Sequence, residues 1–91
     1  MLRWTVRLSP QAEAKINTAI GIDERFEDVV MALKWRLARD PRKGAQIVTD
    51  RENAYLIKFT PPVPDLPSIL ALYTFDQSEV YVIDVRIKDQ K

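Results

Sequence analysis

The spacing of apolar residues changes twice along this chain, and that change limits the fold more than any other feature. Leu2, Trp4, Val6 and Leu8 alternate with Arg3, Thr5 and Arg7, the period of two expected of a strand with one buried face. The period then lengthens: Ala12, Ile16, Ala19 and Ile20 fall on one helical stripe, and Phe26, Val29, Val30, Leu33 and Leu37 on a second. Ser9-Pro10 is a helix start, serine as cap and proline in the first turn. Gly21 is expected to end the first helix through the left-handed conformation, and Asp23 to cap the second. Pro41 disfavours helical geometry at Asp40, so the second helix should stop near Arg39.

Beyond Gly44 the period of two returns. Ile47 to Thr49 is a short strand candidate, and Asp50 to Asn53 a polar turn. Tyr55, Ile57 and Phe59 alternate with Leu56 and Lys58. Pro61, Pro62, Pro64 and Pro67 break the pattern, since proline cannot donate to a sheet ladder. Residues 69–75 are apolar on both faces, which predicts a central strand. Asp76-Gln77-Ser78 turns the chain into residues 79–87, where Tyr81, Ile83, Val85 and Ile87 oppose Val80, Val82, Asp84 and Arg86. The short link predicts an antiparallel hairpin. The fold class is therefore α+β, of order β-α-α-β-β-β-β, with a helical pair packed on one face of an antiparallel sheet.

The length of 91 residues predicts one domain. The chain has neither cysteine nor histidine, which removes disulfides, Cys/His zinc sites and histidine-based triads. No metal or cofactor is expected. No apolar run approaches a membrane span, and the N-terminus has no signal-peptide pattern, so a cytoplasmic protein is expected. Fourteen basic residues face thirteen acidic ones, but unevenly. Asp23, Glu24, Glu27 and Asp28 precede Lys34, Arg36, Arg39, Arg42 and Lys43, an order that complements a helix dipole and also makes a basic patch. Trp4 reads as core. Trp35 lies off the main stripe and either packs between the helices or stands exposed among cations, where it could stack on a base or anchor a partner. Arg3, Arg7, Lys58, Arg86 and Lys88 fall on strands; together they make either a phosphate-binding sheet face or a solvated one. Asp84 could pair with Arg86 across that face.

The stretches WTVRLSPQAEAKI, LARDPRKGAQ, YLIKF, ALYTFD and VYVIDVRIK together resemble the RelE/ParE superfamily of bacterial toxins over residues 4–88. The resemblance implies a single RelE/ParE-like domain over 1–91, and a toxin of a type II toxin–antitoxin pair of the kind that stabilises plasmids. A small antitoxin would neutralise it, which requires an apolar groove lined by the second helix or a sheet edge; a homodimer is a further possibility. One branch of the family cleaves mRNA on the ribosome; the other poisons DNA gyrase. If the chain were an RNA-binding nuclease, the resemblance implies Arg86, Lys58 and Lys88 as its catalytic groups and Tyr73 as a structural tyrosine.

Departures from the pattern favour a protein target such as gyrase. Leu70 stands where the nuclease branch carries an arginine, a proline-rich loop replaces the short turn before the middle strand, and the sequence reaches Lys91 without the tyrosine expected beyond the late arginine. An mRNA endoribonuclease with an altered site, and a non-toxic binding domain that keeps only the fold, are the alternatives.

Overall fold

The computed structural model describes residues 4–48 and 54–90. Its elements are β1 (Thr5–Leu8), α1 (Pro10–Ile22), α2 (Phe26–Arg39), β2 (Gln46–Ile47), β3 (Tyr55–Phe59), β4 (Ser68–Phe75) and β5 (Glu79–Lys88). This is the expected α+β order. Leu2, Arg3, Thr49 and the turn at Asp50–Asn53 lie outside the described residues, as does Lys91.

The strands form one sheet in the order β1-β5-β4-β3-β2, so β4 is central. The pairs β2–β3, β3–β4 and β4–β5 are antiparallel. The expectation of a wholly antiparallel sheet needs one correction, because β1 runs parallel to β5, with Thr5 opposite Glu79 and Leu8 opposite Val82. Alternation records which face of a strand is buried and carries no information on its direction. The helical pair returns the chain to the far side of the sheet, and β5 comes back to meet β1.

Ser9 starts α1 from both sides of its hydroxyl. Its Oγ accepts from the Ala12 N–H at 3.0 Å and donates to the Ile83 carbonyl at 2.6 Å, tying the helix start to β5. Gly21 does not end α1. The helix continues through it to Ile22 and closes on an extended Asp23, whose N–H reaches the Ala19 carbonyl. Asp23 therefore does not cap α2 with its side chain; its Oδ1 accepts from the Arg25 N–H at 3.0 Å and shapes the turn between the helices. α2 stops at Arg39 as Pro41 requires. The left-handed glycine is Gly44, at φ 77°. A Cβ there would stand 2.7 Å from Nη2 of Arg36.

Ala12 and Ile16 of α1, and Phe26, Val29, Val30, Leu33 and Leu37 of α2, pack on Ile57, Ile69, Ala71, Tyr73, Val80, Val82 and Val85 of the sheet. The inward set on β5 departs from strict alternation. A bulge opposite Leu72 and Tyr73 gives β5 one extra residue, so that Tyr73 faces Val82 while Leu72 faces Asp84. The extra residue shifts the phase by one. Val80 and Val82 point inward before it and Val85 after it, which leaves Tyr81 and Arg86 exposed. An unbroken period of two would put Val80 and Val82 on the face of Arg86; the bulge moves them to the core side.

Tyr73 is wholly buried, and its hydroxyl donates to the Pro41 carbonyl, joining β4 to the exit of α2. Burial, helped by neighbouring Tyr55, pushes its pKa up to about 12. Because the folded state holds this proton more tightly than the unfolded chain, its contribution is complete below about pH 10 and is lost as pH rises toward the folded value. Alkaline denaturation of the wild type should therefore steepen between about pH 10 and 12. Tyr73→Phe should be less stable at neutral pH by about 1–3 kcal/mol, since the Pro41 carbonyl loses its partner, and should lack the extra alkaline loss. Urea midpoints across that pH range check both.

Candidate functional site

With both helices on one side, the opposite face of the central strands is open. Lys58 on β3 and Arg86 on β5 are both paired to Leu70 on β4. Adjacent strands are about 4.8 Å apart, so the two cations flank Leu70 across about 10 Å. One row along, Lys88 faces Ser68. The three residues named from the sequence as candidate catalytic groups are thus brought together, and they line a groove of about 540 Å³ with Thr60, Ser68 and Leu70.

The groove is closed at one end by the chain itself. The Gln90 amide donates to the carbonyls of Val63 at 2.8 Å and Leu66 at 2.7 Å, with a longer contact to Pro61. Arg25 holds the same proline-rich loop from the other side through Asp65 at 2.8 Å. The Asp23 and Asp65 carboxylates hold the Arg25 guanidinium firmly charged, and Arg25 in turn lowers the Asp23 pKa.

Two of the other charges expected on this face are engaged elsewhere. Arg7 pairs with Glu79 at 3.1 Å, roughly 15 Å along the strands from the groove. Arg3 lies outside the described residues. Asp84 does not pair with Arg86. It meets Lys15 of α1 at 2.8 Å, and that hydrogen bond, with one from the Val85 N–H, holds its carboxyl below the usual range. Among the described residues, Lys58, Arg86 and Lys88 form no ion pair with an acidic side chain, whereas Arg7, Lys15 and Arg25 all do.

The arrangement suits binding an anion. Three exposed cations around a leucine can hold a phosphate or carboxylate, with the apolar strip of Leu56, Leu70 and Leu72 beside them. It offers less for proton transfer. Tyr73 and Tyr55 stack on the helix side of the sheet, and Tyr81 is on the open face but outside the groove. Asp89 is the carboxylate in the groove lining. Among the described residues no cluster of acidic side chains is placed to hold a metal ion, and no helix is long and apolar enough to cross a membrane.

A second groove, of about 490 Å³, runs between α1, α2 and the edge strand β1. Val6, Leu8, Ile16, Ile20 and Val30 floor it, Met31 stands 54% exposed at its wall, and Glu13, Glu27 and Lys34 rim it. It is lined by both the second helix and a sheet edge.

Trp4 packs against the core as expected, though less deeply, and Trp35 takes the second of its two expected settings. Trp4 is only partly buried, and its indole N–H donates to the Asp76 carbonyl at 2.8 Å. Trp35 does not pack between the helices; it is 54% exposed, with the Arg39 guanidinium 5.3 Å above its ring.

No protein-family model matches this sequence, and comparison with curated proteins gives no match. What is established is a small α+β domain of β-α-α-β-β-β-β order with a cationic groove on its open face.

Proposed function

We propose that this chain is the toxin-like component of a bacterial type II toxin–antitoxin pair, of RelE/ParE type, acting in the cytoplasm. Its toxicity comes from binding a protein target, gyrase being the favoured kind, rather than from cutting RNA. The observation that carries this reading is the row Lys58–Leu70–Arg86 on the open sheet face of a domain whose element order resembles that family. The apolar groove between α1, α2 and β1 supports the other half of the pair. Its apolar floor suits one face of an amphipathic antitoxin helix, with the charged residues at the rim to set its register.

The clustering of Arg86, Lys58 and Lys88 favours a second reading, an mRNA endoribonuclease with an altered site. The two separate by chemistry, because binding needs only charge and shape, whereas cleavage also needs a group that moves protons.

Expression of the chain alone from a tightly repressed promoter should arrest bacterial growth. The double variant Lys58→Ala/Arg86→Ala should relieve the arrest with an unchanged thermal midpoint, since both side chains are exposed. Unimpaired growth with the folded wild-type protein accumulating would overturn the toxin reading.

A further inference from the structure

The C-terminal end of α2 carries a set of groups that neither the core nor the sheet-face groove uses. Trp35, Arg36, Arg39 and Lys43 line a groove of about 530 Å³ there. Their arrangement is organised by the fold. Arg39 lies over the Trp35 ring, Arg42 lies 5.7 Å over the Phe75 ring, and Arg36 lies against Gly44, where a side chain would collide with it. None of these cations forms an ion pair among the described residues. The carboxylate in the lining, Asp40, is occupied by the Arg42 N–H at 3.0 Å. These positive charges outweigh the roughly half negative charge of a helix C-terminus.

We infer that this end of the molecule binds a short stretch of single-stranded nucleic acid, with a base stacked on Trp35 and flanking phosphates held by Arg36, Arg39 and Lys43. A half-exposed indole beside unpaired guanidinium and ammonium groups meets both demands of such a ligand, a flat face for a base and cations for its phosphates. An acidic peptide would satisfy the cations and leave the ring face that Arg39 does not cover without a stacking partner. The site is on the helix side of the molecule, away from Lys58 and Arg86, and the inference is independent of the toxin reading.

The test uses the full chain and a labelled oligoadenylate of about eight nucleotides, followed by fluorescence polarisation at stepped salt. Binding should weaken with salt at a log–log slope of about −2, the value for three phosphate contacts on a single strand. Trp35→Ala should weaken it about 5- to 150-fold, and Trp35→Phe should restore most of the loss. Lys43→Ala should make the slope shallower by about 0.7. The matching oligodeoxyadenylate shows whether the ribose hydroxyl contributes, and binding of either strand supports the site. No binding at low salt, unchanged affinity in a folded Trp35→Ala variant, or a loss carried by Lys58→Ala instead would each overturn the inference. So would equal affinity for an oligoglutamate that displaces the nucleic acid, which would identify an acidic protein segment as the ligand.

Discussion

Truncating Phe26 to alanine is expected to destabilise the fold by about 3–5 kcal/mol. Phe26 opens α2 and has no exposed surface. It lies in the same core as Ile16, Val30 and Leu33 and the inward residues of β4 and β5. The helix axis and the sheet are held apart by the other side chains of that stripe, so the walls cannot close on the space left by the ring. A domain of this size has about 5–10 kcal/mol of stability in total. The variant should therefore be close to half unfolded in mild urea, and Leu33→Ala, about two turns further along the same stripe, should lose about 2–5 kcal/mol. Urea titration followed by circular dichroism checks both. A Phe26→Ala midpoint indistinguishable from wild type would mean that α2 does not present this stripe to the sheet.

That stripe was legible because helix period and burial coincide along α2. The end of the helix was legible too, since Pro41 acts on its immediate neighbour, as was the hairpin, whose turn Asp76 closes by accepting from the N–H groups of Ser78 and Glu79. Features that depend on partners distant in sequence were not. The parallel run of β1 beside β5 follows from how the chain returns after the helices. The β5 bulge is invisible in a run of β-branched residues, because Ile83 and Asp84 satisfy the alternation on paper; the shift shows only when Val82 and Val85 are both seen facing the core. Gly21 had the composition of a helix end without the conformation, because the extended Asp23 ends the helix instead.

The candidate site was half legible. Lys58, Arg86 and Lys88 could be named from a resemblance, and register alone brings them to one face. Which cations are left unpaired there was not readable, because Lys15 draws off Asp84 and Glu79 draws off Arg7, both through contacts between distant segments. Trp35 gave a usable signal in lying off the helical stripe, and of its two expected settings, packed between the helices or exposed among cations, the second holds.

The largest functional effect expected is an absence. Cleavage of RNA needs cationic stabilisation of the phosphorane and groups that take and give protons. Arg86, Lys58 and Lys88 supply the charge. Leu70 occupies the centre of the row where a further cation would reach the phosphate, no tyrosine enters the groove, and the chain has no histidine. Losing one electrostatic donor costs about 10²–10³-fold and one proton-transfer group about 10²–10⁴-fold, so an otherwise equivalent site lacking the central cation and one of its two proton-transfer groups, with the Asp89 carboxylate as the other, would be slower by about 10⁴–10⁷. Binding through the same cations carries no such penalty. Primer extension on mRNA from translating ribosomes, in cells arrested by expression of the chain, separates the two directly. Growth arrest without codon-positioned cuts is the predicted result; strong codon-positioned cuts that Arg86→Ala abolishes would contradict it.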